Sequence, residues 1–156
     1  VIADESNGEV ILVDLTDPAA PTQIGSPIPV GWSPGRVAID STRNLALVTN
    51  QDDMNVSVVN LITRQEILPP LTVGQQPFGI AIDETRGIAV VANRQDSTLS
   101  LINLSTLTVL PLTVNLPFVP TEVALVPGIP GALRLLTTDV ASDNVGVVEI
   151  SESALP

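Results

Sequence analysis

Val30-Gly31, Pro34, Val37-Ala38-Ile39-Asp40, Thr42-Arg43 and Asn50 return 43 residues later as Val73-Gly74, Pro77, Ile80-Ala81-Ile82-Asp83, Thr85-Arg86 and Asn93. The same offset lays Val56-Ser57-Val58-Val59-Asn60-Leu61 over Leu99-Ser100-Leu101-Ile102-Asn103-Leu104. Agreement in spacing and residue type over a whole period marks a repeated structural unit. A third copy is worn but legible. Pro120 matches Pro77, Val123-Ala124-Leu125 matches Ile80-Ala81-Ile82, and Val145 to Ile150 matches Leu99 to Leu104. At the N-terminus, Val10 to Leu15 reads as the same β segment, after a turn-rich stretch from Asp4 to Glu9.

Within each copy, short runs of β-branched and aliphatic residues alternate with Asp, Asn, Ser, Thr, Gly and Pro, the pattern of strands joined by tight turns. The spacing predicts strands over residues 37–40, 45–49, 56–61 and 66–73 in one copy, and 80–83, 88–92, 99–104 and 108–114 in the next. No helix is expected. Four strands per period of roughly 40–45 residues point to the blades of a β-propeller, since solenoids of similar period are mostly helical.

The run Val-Gly-x-x-Pro-x-x-Ile-Ala-Ile-Asp, a strand ending in Asn, and a Val-Ser-Val-Val-Asn strand together resemble the YVTN repeat of surface-layer-like propeller proteins. The family's Tyr-Val-Thr-Asn stands here as Leu47-Val48-Thr49-Asn50 and Val90-Val91-Ala92-Asn93, so the tyrosine is absent from both full copies. The resemblance implies an all-β fold and an extracellular, periplasmic or cell-surface location.

With strands lettered A to D outward from the propeller axis, the chain reads B-C-D, A-B-C-D, A-B-C-D, A-B-C, an arc of about 3.5 four-stranded blades. The divisions expected are a partial blade over 1–29, full blades over 30–72 and 73–114, and a partial blade over 115–156. Such a ring is incomplete unless another chain or further sequence closes it. A cut within a blade at both ends favours a piece of a longer propeller over a homodimer that closes the ring. Open blade faces and edges also predict that the isolated chain self-associates or is unstable.

Composition narrows the function. A hydrophobic fraction of 44% over 156 residues suffices for a core. Seventeen acidic residues against six arginines, with no lysine, give a net charge of −11, which repels nucleic acid and anionic lipid. No apolar run approaches the roughly 20 residues of a membrane helix, so insertion is not expected. The chain has neither cysteine nor histidine, which removes thiol nucleophiles, thiolate ligands and the commonest general base. No catalytic set, cofactor site or metal site is therefore expected.

Asp40, Asp83, Asn50 and Asn93 recur in each copy and read as turn and blade residues. The acidic B–C turns, Asp4 to Glu9, Asn50 to Asn55, Asn93 to Thr98 and Asp139 to Asn144, offer oxygen ligands but lack the spacing of a calcium loop. More informative are the D–A connections, where the copies differ. Trp32, Gln75 and Phe118 align there, as do Gly35, Phe78 and Thr121, and Arg36, Gly79 and Glu122. The only tryptophan and both phenylalanines fall in this set.

Aromatic rings give contact area and charges give orientation, so Trp32, Arg36, Phe78, Phe118 and Glu122 are the candidate binding residues, for a protein or glycan partner. The competing reading is that these rings fill gaps between blades. Two further readings stay open. One is an enzyme of lactonase-like or quinoprotein-like kind whose catalytic residues lie in blades outside this chain. The other is an adhesive propeller that stacks sugar on Trp32 or Phe118.

Overall fold

A computed structural model describes residues 1–128, 130–139, 142 and 144–155. Among these residues sixteen strands, all paired antiparallel, form five small sheets, and the one helical segment is a 3-10 turn at Glu152–Ala154. No helix among the described residues is long and apolar enough to cross a membrane.

The N-terminal part holds β1 (Ile2–Asp4), β2 (Glu9–Ile11), β3 (Val13–Asp14), β4 (Thr22–Gln23) and β5 (Ile28–Pro29), in sheets ordered β1-β2-β5 and β3-β4. The continuous segment expected over Val10 to Leu15 is interrupted at Leu12. There the Leu12 carbonyl accepts the Ile24 N–H at 2.8 Å, outside the ladders of both sheets. Next comes a four-stranded meander of β6 (Pro34–Asp40), β7 (Leu45–Asn50), β8 (Asn55–Asn60) and β9 (Gln65–Thr72). A second meander follows, of β10 (Pro77–Asp83), β11 (Ile88–Asn93), β12 (Thr98–Asn103) and β13 (Thr108–Asn115). The last sheet has three strands, β14 (Pro120–Val126), β15 (Ala132–Asp139) and β16 (Asn144–Ser151).

The turns follow from side-chain chemistry. Asp40 Oδ1 accepts the Arg43 N–H and Asp83 Oδ1 accepts the Arg86 N–H, while each carboxylate's other oxygen takes the same arginine's guanidinium at 2.8 Å. Asn60 and Asn103 each accept two backbone N–H groups from the turn that follows them. Every such hairpin closes on a residue in the left-handed region: Asn44 and Gly87 after the first strand, Met54 and Ser97 after the second, Arg64 and Leu107 after the third.

The core is repeated like the strands, each sheet laying one face on the next. Val10, Leu12 and Ile28 meet Ala46, Val48 and Val59 of the first meander. That meander's other face, with Leu45, Leu47, Val56 and Val58, meets Ala89, Val91 and Ile102 of the second. The second in turn sets Val90, Leu99 and Leu101 against Leu133, Leu135 and Ile150 of β15 and β16. The second strand of each meander, β7 and β11, is buried along its whole length. The prolines of β9 and β13 lie on outermost strands, where a missing N–H costs no ladder bond. The series of sheets does not close into a ring.

Candidate functional site

The first strands of the two meanders start earlier than the sequence predicts, and in each of the last three sheets the first strand starts with an irregularity. Pro34 pairs with Asn50 and Val37 with Val48, so Gly35 and Arg36 together face the single residue Thr49. Phe78 and Gly79 stand in the same way opposite Ala92, and Thr121 and Glu122 opposite Thr138. Two residues against one is a β-bulge, which bends the strand and re-aims its side chains. Arg36, Phe78 and Glu122 are all bulge residues.

A hydroxyl organises the first bulge. Thr49 Oγ1 accepts the Arg36 N–H at 3.0 Å and donates to the Phe78 carbonyl at 2.9 Å, tying two neighbouring bulges together. Thr138 Oγ1 accepts the Glu122 N–H at 3.1 Å in the third. At the middle bulge the first strands approach so closely that side chains have no room. A Cβ on Gly79 would lie 2.6 Å from Glu122 Cα and 2.9 Å from the Val123 nitrogen, and closer still to the Thr121 carbonyl oxygen.

That close approach lets a long side chain bridge the middle sheet. Arg36 reaches across it to Glu122, with Nη2 and Nε at 2.7 and 2.8 Å from the same carboxylate oxygen. The Arg36 guanidinium carbon also lies 4.3 Å from the centroid of the Phe78 ring, and that of Arg94 lies 5.1 Å from it. Guanidinium over an aromatic face is attractive through the ring quadrupole, and two cations on one ring concentrate positive charge in a chain that is strongly acidic. The Arg36–Glu122 pair remains about half exposed on both sides, 49% and 43%.

The structure thus joins Arg36, Phe78 and Glu122 into one cluster and leaves the other two candidates apart from its contacts. Trp32 projects from its loop with 66% of its surface exposed, while its backbone N–H donates to Asp53 Oδ2 at 2.7 Å. Phe118 is half-buried and seated on Gly146 of β16, where a Cβ would lie 2.8 Å from the ring's Cε1. Phe118 therefore packs on its own sheet, outside the cluster of Arg36, Phe78 and Glu122.

Sequence reading did not single out Thr49, Thr138, Gly79 or Arg94. The signal for Gly79 was its alignment with Arg36 and Glu122, the one small residue at a position otherwise charged.

The acidic turns serve as caps. Asp53 and Asp96 hold the N–H groups of Trp32 and Gln75, each at 2.7 Å, and Asp52 accepts the Ser33 hydroxyl. Among the described residues no group of three or more His, Cys, Asp or Glu is placed to hold a metal ion. Of the fourth turn, Val140, Ala141 and Asp143 lie outside the described residues. A separate cavity of about 470 Å³ opens at the other end of the strands, between residues 25–29 and 64–66.

No family model and no curated protein matches this chain. Solved structures do. The chain is similar to hydrazine synthase of Kuenenia stuttgartiensis with a TM-score of 0.69 and 22% identity, over 95% of this chain and 45% of that one. It is also similar to a functionally unknown protein from Desulfotomaculum acetoxidans, with a TM-score of 0.59 and 16% identity, over 83% of this chain and 46% of that one. The chain spans about half the length of these two structures. At such identities the likeness carries the fold alone.

Proposed function

We propose that this chain is an arc of β-propeller, about 3.5 blades of YVTN type, acting as a structural and interaction module of an extracellular or cell-surface protein. Its partner, a protein or a glycan, is bound through the loop face that carries the D–A connections and B–C turns. The observation that carries this reading is the convergence of three bulges on Arg36, Phe78 and Glu122. An ion pair this exposed contributes only about 0–1 kcal/mol to stability, so fold maintenance gives little reason for its placement. Bulges of this kind recur beside functional sites.

The exposed Trp32 belongs to the same loop face and adds a large ring able to contact either kind of partner. Meanders whose first strands lie side by side, and the likeness to a much longer solved chain, support the propeller arc. Nothing in the cluster favours catalysis by this chain, which offers no histidine or cysteine to activate a nucleophile.

The test is a paired screen of glycan and peptide arrays with the wild-type chain, Trp32→Ala and Arg36→Gln. Binding that weakens at least tenfold in either variant, with the thermal midpoint preserved, supports the reading. Binding untouched by both places the contact on another face, and absence of binding on both arrays removes the module reading.

A further inference from the structure

The seam between the N-terminal sheets and the first meander is filled differently from its repeat. Between the two meanders, Ile102 pairs with Val109, and Leu107 and Val109 pack on the buried cluster that joins those sheets. The offset of 43 residues puts Arg64 in the place of Leu107 and Glu66 in that of Val109. The backbone is the same in both copies. Val59 pairs with Glu66 as Ile102 does with Val109, and Arg64 and Leu107 share the left-handed conformation, with φ of 58° and 52°. Two apolar side chains that close one seam are thus two opposite charges in the other.

The opposite wall of this seam recedes. Its outer strand, β5, has two residues where β9 and β13 have eight, and a cavity of about 470 Å³ opens between residues 25–29 and 64–66. Arg64 extends across its mouth, where a Cβ on Gly25 would lie 3.4 Å from Nη1 and 3.7 Å from Cδ. Glu66 is half-buried, with Oε1 shut off from water and without a hydrogen-bond partner. Among the described residues neither side chain makes an ion pair or a hydrogen bond, whereas Arg36, Arg43, Arg86 and Arg134 each meet a carboxylate. A charge placed in a seam without a partner weakens the fold, so packing does not account for this pair.

We infer that this cleft binds a small zwitterion, a free amino acid or a short homologue of one, with its ammonium on Glu66 and its carboxylate on Arg64. The guanidinium offers paired N–H donors that match a carboxylate, and an ammonium supplies the donors that the Glu66 carboxylate lacks. A simple anion would leave Glu66 unpaired, and a simple cation would leave Arg64 so. A ligand of zero net charge also escapes the repulsion that a chain of charge −11 exerts on anions. The volume lies within the roughly 300–1,000 Å³ of small-molecule pockets, and Pro27, Ile28 and Pro29 give one wall apolar contact surface. The cleft lies between neighbouring sheets, at the opposite end of the strands from the loop face, so the inference is independent of the loop-face reading.

The probes are free α- and ω-amino acids, with propionate and propylamine as singly charged controls, titrated into the chain and followed by backbone amide NMR. At least one amino acid is expected to shift the amides of residues 25–29 and 64–66 at millimolar concentration, with both controls at least tenfold weaker. Arg64→Gln and Glu66→Gln should each weaken that binding at least tenfold. The double variant Arg64→Leu/Glu66→Val restores the residues that close the other seam. It should keep or raise the thermal midpoint, lose the binding, and lose the rise in midpoint that the amino acid gives the wild type. Three results would overturn the inference: no amino acid shifting these amides up to tens of millimolar, a control that binds as tightly, or binding unchanged in the double variant.

Discussion

Replacing Gly79 by alanine adds one methyl group where the first strands of two sheets touch, and its effect is calculable. The new Cβ would stand 2.6 Å from Glu122 Cα, a backbone atom with no rotamer by which to retreat. Reaching an ordinary carbon–carbon separation requires β10 and β14 to part by about 1 Å. A gap of that size forfeits roughly a quarter to a half of each dispersion contact along the seam, and the seam includes Val123 and Leu125 packed on Val90 and Leu101. Overpacking in yielding sites costs about 1–3 kcal/mol. With backbone on both sides, the upper end, about 3 kcal/mol, is expected for Gly79→Ala. Gly128→Ala is the control, because it meets nothing within 4 Å and bears only the strain of its φ of +76°, about 1 kcal/mol. Urea unfolding followed by circular dichroism reads both through the shift in midpoint at constant slope. A Gly79→Ala variant no less stable than Gly128→Ala would refute the close approach of β10 and β14.

Three further outcomes are expected. Arg43→Gln leaves the fully buried Asp40 carboxylate without its guanidinium and should cost about 3–5 kcal/mol; Arg134→Gln, which breaks the exposed pair with Glu149, should cost under ~1 kcal/mol in the same urea experiment. Burial pushes the Asp83 carboxyl up, but hydrogen bonds from the Arg86 N–H and guanidinium, with its charge, outweigh this and hold it below its ordinary 3.8. A depressed folded value means stability that is complete above pH 3.8 and lost as pH falls through the folded value. The thermal midpoint should therefore drop in acid, and drop less in Asp83→Asn. Arg36→Gln and Glu122→Gln should each shift unfolding by no more than ~1 kcal/mol, which makes them clean probes of binding at the loop face; a larger loss would recast the pair as structural.

The repeat exposed the sheets to sequence reading because each strand's face must match the next sheet's, so residue type recurs with the period. The A strands were placed three residues short at their starts, over 37–40 and 80–83 against Pro34–Asp40 and Pro77–Asp83. A bulge leaves no periodic trace, since its extra residue breaks the alternation that reveals a strand. The Arg36–Glu122 contact was likewise out of reach. Its partners are 86 residues apart and meet because Gly79, having no side chain, lets the first strands of neighbouring sheets approach closely. Aromatic content drew attention to Phe118 and Phe78 equally, and only Gly146 told them apart by giving the Phe118 ring a seat. The interruption at Leu12 depends on Ile24, which lies beyond a long loop whose course the local sequence does not fix.

The central claim is that a sheet in this molecule buries both faces only where it has a neighbour on each side, which leaves the two ends open. Hydrogen exchange of the backbone amides, read by mass spectrometry at a concentration low enough to hold the chain monomeric, tests it strand by strand. The slowest exchange is expected in β7, β8, β11 and β12, with β16 and the short strands β1 to β5 exchanging far sooner. Protection of β16 equal to that of β12 in the monomer would contradict the open-ended stack.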